Sequence, residues 1–254
     1  MKKNKLENIV QLRSTEIRNA NNKLKDLVKK LEKESITDQL TGAFNRGFLD
    51  KAIAKKISSM KRSSEKEGAL KQLSIGFIIA DLDYFKTVND TYGHAAGDTV
   101  LKEFVQCLNN TCRESDWVIR WGGEEFVIVS ECENERDTDI LAERVMRDTE
   151  RLKVKIDKGR FINITCSIGI AHLPSTSIHA NNLSLEDVLS VADIALYKAK
   201  SLGRNRWVRF NNLNFEDVTQ FYSHIQNDLE QAIENNSIEL LNGVGVVDSN
   251  KSQS

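Results

Sequence analysis

The sequence predicts an α/β (α+β) fold: a ferredoxin-like, palm-type β-α-β-β-α-β core with an added α-β unit and an N-terminal coiled-coil helix. Three observations predict it. Short apolar runs alternate with stretches of helical spacing. Two of those runs have Trp121-Gly122-Gly123 between them, which reads as a hairpin turn. Residues 6–34 carry a sustained heptad.

The heptad places Leu6, Val10, Ile17, Ala20, Leu24, Leu27 and Leu31 on its two seam positions, with Arg13 and Glu34 as exceptions. A stripe this narrow, held over about four heptads, suits burial against a second copy of the same helix; an amphipathic helix folding back on its own domain is the alternative. Ser35 to Arg46 is a junction interrupted by Gly42, and a helix is expected from Asn45 to about Met60. Lys61 to Lys71 is polar and reads as a loop. Leu73 to Ala80 (LSIGFIIA) is a short apolar run of the kind a buried strand shows. Gly97 to Asn110 has helical spacing at Val100, Leu101, Phe104, Val105 and Leu108. Asp116 to Arg120 and Glu125 to Val129 are the hairpin strands, and Ile140 to Leu152 is helical. Phe161 to Ala171 reads as one long strand. Leu185 to Leu202 is a helix with Leu185, Leu189, Ala192, Leu196 and Ala199 on one face, and Trp207 to Phe210 is a strand. Helices on one face of a mostly antiparallel sheet fit this order. The tail reads helical from about Glu216 to Asn235, then strand-like at SIELLNGVGVV. The expected units are residues 1–34, 35–211 and 212–254.

Composition bounds the function. With 40% hydrophobic and 29% charged residues the chain can bury a core, so disorder is not expected. The net charge of −1, from 36 basic and 37 acidic residues, gives no whole-protein case for nucleic-acid binding. Cys107, Cys112, Cys132 and Cys166 form no C-x-x-C pair and read as reduced thiols. No stretch approaches the ~20 apolar residues of a membrane span, and MKKNKLENIV lacks the apolar core of a signal peptide. A cytoplasmic protein without a membrane segment is expected.

Asp81 ends the buried apolar run, and Glu124 and Glu125 follow the double glycine of a hairpin in the same expected sheet. Paired carboxylates without His or Cys suit a hard cation such as Mg²⁺, which joins one or two carboxylates to substrate phosphates. The plainer alternative is a polar hairpin with solvated glutamates.

Further motifs weigh against that alternative. Asp81 to Asp90 spells D-L-D-x-F-K-x-x-N-D, and Tyr92 to Asp98 spells Y-G-H-x-x-G-D. Asp38 to Arg46 gives D-x-L-T-G-x-x-N-R, Arg120 to Phe126 gives R-W-G-G-E-E-F, and Ala199 to Asn205 gives A-K-x-x-G-R-N. Together, from about Ser35 to Phe210, these resemble the GGDEF family of diguanylate cyclases, in a GGEEF variant.

The resemblance implies an activity and a set of roles. Two GTP would give cyclic di-GMP and two pyrophosphates across a homodimer. Asp81, Glu124 and the Leu82 carbonyl match the ligands of Mg²⁺ or Mn²⁺. Glu124 and Glu125 match the catalytic acids, linked to deprotonating the attacking 3′-hydroxyl. Asn89 and Asp98 match the residues that hold the guanine edge. Lys200 and Arg204 match phosphate binders, and Lys86 with the backbone of Tyr84 and Phe85 lies where the triphosphate packs. Asp83 and Asp90 read as helix caps, and His94 takes a structural part. Arg113 and Asp116, with five residues between the motif and Gly122, match the R-x-x-D inhibitory product site, which Arg144 would complete; an ordinary i,i+3 ion pair is the alternative. A silent module that binds GTP or cyclic di-GMP, and an enzyme using another nucleotide, are the rival readings. Asp228 to Leu240 also resembles the opening of an EAL phosphodiesterase domain, but no E-A-L motif follows and no phosphodiesterase activity is expected.

Overall fold

The structure, a computed structural model, describes residues 13, 17–19, 21–23, 36–67, 74–157, 159–173, 184–211 and 239–245. Its elements run β1 (Phe44–Asn45), α1 (Arg46–Glu67), β2 (Ser74–Leu82), α2 (Phe85–Tyr92), α3 (His94–Thr111), β3 (Trp117–Gly122) and β4 (Glu125–Cys132). They continue with α4 (Glu135–Arg151), β5 (Lys153–Asp157), β6 (Arg160–Asn163), β7 (Cys166–Leu173), α5 (Leu185–Ser201), β8 (Arg206–Asn211) and β9 (Glu239–Val244).

A seven-stranded sheet has the order β1-β3-β4-β2-β7-β8-β9. Its inner four strands are the β-α-β-β-α-β core: β2 lies between β4 and β7, antiparallel to both, and β3 pairs with β4 as a hairpin. The added unit places β8 parallel to β7. All nine residues of β2 are buried, so the central strand has no solvent face. One face carries Ile78, Ala80, Phe126 and Ile128 against α3 and α4, with Phe104 meeting Phe126 edge-on at 5.2 Å. The other carries Phe77, Ile79, Val127 and Val129 against α1 and α5. Gly169 lets α5 lie on β7, since a Cβ there would overlap the backbone of Ala192 and Leu196.

The structure departs from the sequence reading at several elements. Helices cover both faces of the sheet, not one, because neighbouring residues of β2 and β4 are apolar in both directions. Helix α1 runs on to Glu67 through residues read as loop; polar residues without Gly or Pro do not end a helix. The expected strand Phe161–Ala171 is broken at Ile164–Thr165. Its first part, β6, pairs with β5 in a separate two-stranded sheet, and its second part is β7. A short helix, α2, precedes the helix read from Gly97, which itself begins at His94. The strand-like tail is β9, antiparallel to β8 over six residue pairs. Apart from Ile17, the apolar seam residues lie outside the described residues, as does the tail helix read at Glu216–Asn235. Among the described residues no helix is long and apolar enough to cross a membrane. All four cysteines are free.

Candidate functional site

Strand β2 delivers Asp81 to the end of the sheet, opposite Glu125 of β4 and Ser167 of β7. The turn of the β3–β4 hairpin falls on Gly123 and Glu124, one residue later than the double glycine suggests, with Gly123 at φ 49°. A positive φ is open to glycine at no steric cost. The Leu82 N–H donates to the Glu124 carbonyl at 3.4 Å, which ties the turn to the end of β2. Asp81 is 6% exposed. Burial pushes its carboxyl above the usual range; Lys200 pulls it back, while Glu124 and Asp83 push it further up. Glu125 is raised in the same way, by burial first and then by the charge of Asp81, with Asp193 and Glu124 adding to it. The three acids that the sequence singles out therefore share one locality. Lys200 Nζ stands 2.8 Å from Asp81 Oδ2, so this lysine contacts the aspartate directly.

Among the described residues no group of three or more His, Cys, Asp or Glu side chains forms a metal cage. A hard cation that takes one or two carboxylates and completes its shell with water and phosphate oxygens needs no such cage. The buried Asp81, already engaged by one cationic group, fits that kind of site.

Arg120 braces the hairpin, a role that the motif pattern alone did not suggest. Its Nε and Nη2 donate to the Gly123 carbonyl at 3.1 and 2.8 Å, and its Nη1 meets Asp38 Oδ1 at 3.0 Å. Asp38 also accepts from the Thr41 N–H at 2.9 Å and the Thr41 hydroxyl at 2.6 Å. Burial raises the Asp38 carboxyl, but the bonds from Thr41 and Arg120 outweigh it and hold the group below its ordinary value. The D-x-L-T sequence is thus a local turn locked onto the hairpin. Arg46 lies over the Trp121 ring at 4.4 Å beside it.

Asp83 is not a helix cap. It is 5% exposed and accepts from Thr165 Oγ1 and Ser167 Oγ, both at 2.7 Å, and from the Asn205 N–H at 3.1 Å. The residue at the start of α2 is Tyr84, at φ 58° with no side-chain cap. Asp90 is no N-terminal cap either; it sits exposed in the second half of α2. The first-turn amides of α2, starting at Phe85, lie three residues after Leu82, and such amides have no partner within their helix. Lys86 is exposed on this turn. Asn89 is half-buried and Asp98 exposed; Gly97 lets α2 and α3 close together there, because a Cβ would overlap Asn89 Oδ1. His94 is exposed at the first position of α3. Arg204 follows α5 in a tight turn at φ 62°, with its guanidinium 4.8 Å from the Tyr84 ring centre. Tyr84, Asp81, Lys200 and Arg204 are thereby linked into one locality.

Arg113, Asp116 and Arg144 line a separate cleft of about 160 Å³. Asp116 is buried, accepting from the Arg113 N–H and from Ser130 Oγ, each at 2.8 Å. Arg113 is exposed, and Arg144 reaches across from α4 to the Thr111 carbonyl. The Arg113 and Asp116 side chains therefore do not form the plain ion pair that the spacing alone permits; the bond is from the Arg113 backbone.

Comparison with known proteins agrees with this architecture. Residues 35–206 match the family described as diguanylate cyclase, GGDEF domain. The chain is 33% identical over 207 residues to diguanylate cyclase A of Treponema denticola, covering 80% of this chain and 50% of that protein. Diguanylate cyclase SiaD of Pseudomonas aeruginosa, solved with its activator SiaC, superposes with a TM-score of 0.57 at 30% identity, covering 79% of this chain and 70% of that one. The GGDEF domain of DgcB from Caulobacter crescentus, solved with c-di-GMP, gives a TM-score of 0.54 at 27% identity, over 67% and 92% of the two chains. The chain spans about half the length of the Treponema relative. The family match takes in well over half of the chain and contains every element that carries the acids, so the chain belongs to the GGDEF family of diguanylate cyclases.

Proposed function

We propose that the chain is a diguanylate cyclase, condensing two GTP into cyclic di-GMP and two pyrophosphates across a dimer of its GGDEF domains. The observation that carries this reading is the convergence of Asp81, Glu124 and Glu125 where β2 meets the β3–β4 hairpin, with Lys200 already on Asp81. Relatives named as diguanylate cyclases and a neighbour solved with c-di-GMP support it.

Asp81, Glu124 and the Leu82 carbonyl would hold Mg²⁺ or Mn²⁺. Bound there, the ion supplies charge stabilisation at the phosphates and lowers the pKa of an attacking hydroxyl. The chain's own residues do the remaining work. Lys200, bonded to Asp81, would offer its ammonium to the phosphates together with Arg204. Lys86 and the first-turn amides of α2, with the backbone of Tyr84 and Phe85, face the triphosphate, as helix N-termini do. Asn89 and Asp98 accept from guanine N1–H and N2–H, donors that adenine lacks in that arrangement. Glu125 has a raised pKa. That makes it a stronger base for the 3′-hydroxyl proton than an exposed glutamate. Each 3′-oxygen attacks the α-phosphorus of the nucleotide held by the other protomer, and the bond to pyrophosphate breaks. Holding two nucleotides face to face supplies effective concentration.

The wider reading follows the same division of the chain. Residues 1–34 form the coiled coil that pairs two copies, residues 35–211 are the catalytic domain, and residues 212–254 are a tail. Arg113, Asp116 and Arg144 bind the product as an inhibitor. Asp116 keeps lone pairs free beyond the donors it already has, and an exposed guanidinium suits phosphate or the guanine Hoogsteen edge. The reaction belongs in the cytoplasm, where GTP is available.

The test is incubation of the purified protein with Mg²⁺ and GTP, followed by chromatography for cyclic dinucleotide. Product is expected from GTP and not from ATP. Glu124→Ala is expected to cut it by on the order of 100-fold or more while leaving the thermal midpoint within a few degrees. GTP binding without any cyclic product would make the chain a sensing module instead.

A further inference from the structure

Strand β9 lies beyond residue 206, where the match to the family ends. It pairs with β8 along the whole length of both, from Arg206 opposite Val244 to Asn211 opposite Glu239. The ladder closes at the turn that carries Arg204. There it gains one more bond: the Gly245 N–H donates to the Asn205 carbonyl at 2.9 Å. On its other side Asn205 is held by Asp83, which accepts the Asn205 N–H, and by Glu150, which accepts from Asn205 Nδ2 at 3.3 Å.

This double hold matters because the turn is strained. Arg204 and Asn205 stand in succession at φ 62° and 46°. Asparagine tolerates that conformation, but a long side chain such as Arg keeps it only where the surroundings enforce it. The fit of β9 is also close. A Cβ on Gly243 would overlap the indole of Trp207, and one on Gly245 would stand 2.5 Å from the Asn205 amide. Gly243 thus admits the Trp207 indole against β9, and Gly245 admits the Asn205 side chain just past its end.

We propose that β9 is a positioning strand for the nucleotide site, clamping the Gly203–Asn205 turn so that Arg204 is held ready for phosphate. The proposal rests on the reading of Arg204 as a phosphate binder. Its physical content is preorganisation: the strand meets the ordering cost of the turn before the nucleotide arrives.

The experiment compares the unaltered protein with Gly245→Pro, which removes the N–H that donates to the Asn205 carbonyl and sets a ring against the Asn205 side chain, and with a chain ending at residue 238. Hydrogen exchange at the Arg204 and Asn205 amides reads the clamp, and titration with a fluorescent GTP analogue in Mg²⁺ reads the site. Both variants are expected to exchange faster at these amides and to bind the analogue about three- to tenfold more weakly, the range for one lost hydrogen bond or somewhat more. In turnover the change is expected in KM, with kcat within about twofold. Unchanged exchange and unchanged affinity in Gly245→Pro would overturn the proposal, and that variant decides the matter if the shortened chain does not fold. Should the unaltered protein fail to bind the GTP analogue, the phosphate reading of Arg204 falls; the exchange rates would still decide whether β9 holds the turn.

Discussion

Asp81 is buried at the end of a strand that is buried throughout, and its carboxyl lies above the usual range because burial outweighs the help of Lys200. Glu125, across the register from it, is raised for the same first reason. A carboxyl whose folded pKa exceeds its unfolded one binds its proton more tightly when folded. The stability it contributes is complete below the unfolded pKa and is lost as pH rises through the folded one. At neutral pH, then, the ionised pair costs the metal-free protein stability, and a cation entering the site must compete with protons at a higher pH than exposed carboxylates would require. Two outcomes are expected. The thermal shift caused by Mg²⁺ should shrink on acidification while ordinary exposed carboxylates are still ionised. Asp81→Asn should lower turnover by on the order of 100-fold yet leave the metal-free thermal midpoint equal or higher. A metal-free midpoint well below that of the unaltered protein would contradict this account. Asp81, Glu124 and Glu125 stood out in the sequence through the motifs around them, since two acids after a double glycine read alone as a solvated turn. Asp83 did not: its partners Thr165, Ser167 and Asn205 lie 82, 84 and 122 residues away, and only the folded sheet brings them to it.

Elements were legible where periodicity and punctuation agreed. β2, the β3–β4 hairpin, α4 and α5 stand close to their expected places, each of these helices opening with a capping box, Asn134 with Asp137 and Ser184 with Asp187. The break between β6 and β7 was hidden, since Phe161–Ala171 has no Pro and its only Gly is Gly169, inside β7. It falls where Thr165 turns its hydroxyl and carbonyl to Asp83, a tertiary demand. The same dependence on packing governs the cleft of Arg113, Asp116 and Arg144, which needs the start of β3 and the side of α4 together. β3 runs from this cleft to the hairpin turn, a span of about 20 Å at 3.3 Å per residue, so the two places are joined by one stiff element but share no side chain. Arg113→Ala is therefore expected to leave the initial rate without added product within about twofold. It should raise the concentration of cyclic di-GMP needed for half inhibition by about tenfold, the loss of one charge-assisted phosphate contact. Initial rates measured against added cyclic di-GMP decide it; an unchanged inhibition curve would return Arg113 to the status of a surface arginine.

At the scale of the whole molecule, the proposed reaction makes a symmetric product from two nucleotides and needs two sites that face each other, while a single chain presents Asp81, Glu124 and Glu125 once. The heptad of residues 6–34 is the segment whose pattern suits pairing. The Asp38–Arg120–Gly123 brace then stands between the two scales: the junction that follows the heptad is bonded directly to the hairpin bearing Glu124. A pair of helices joined to this junction, as proposed, would fix both how often and in which orientation the sites meet. A chain starting at residue 35 keeps the catalytic domain and loses the seam. It is expected to sediment as a monomer at micromolar concentration, and the chain with residues 1–34 as a dimer. Its rate per protomer should rise in proportion to protein concentration, while that of the full chain stays constant, because encounter replaces a held geometry. Replacing residues 1–34 with an unrelated parallel dimeric coiled coil in the same heptad register should restore the concentration-independent rate. A shortened chain that keeps a constant rate per protomer would mean that the domains find each other through their own surfaces, and the helix would lose its assigned part.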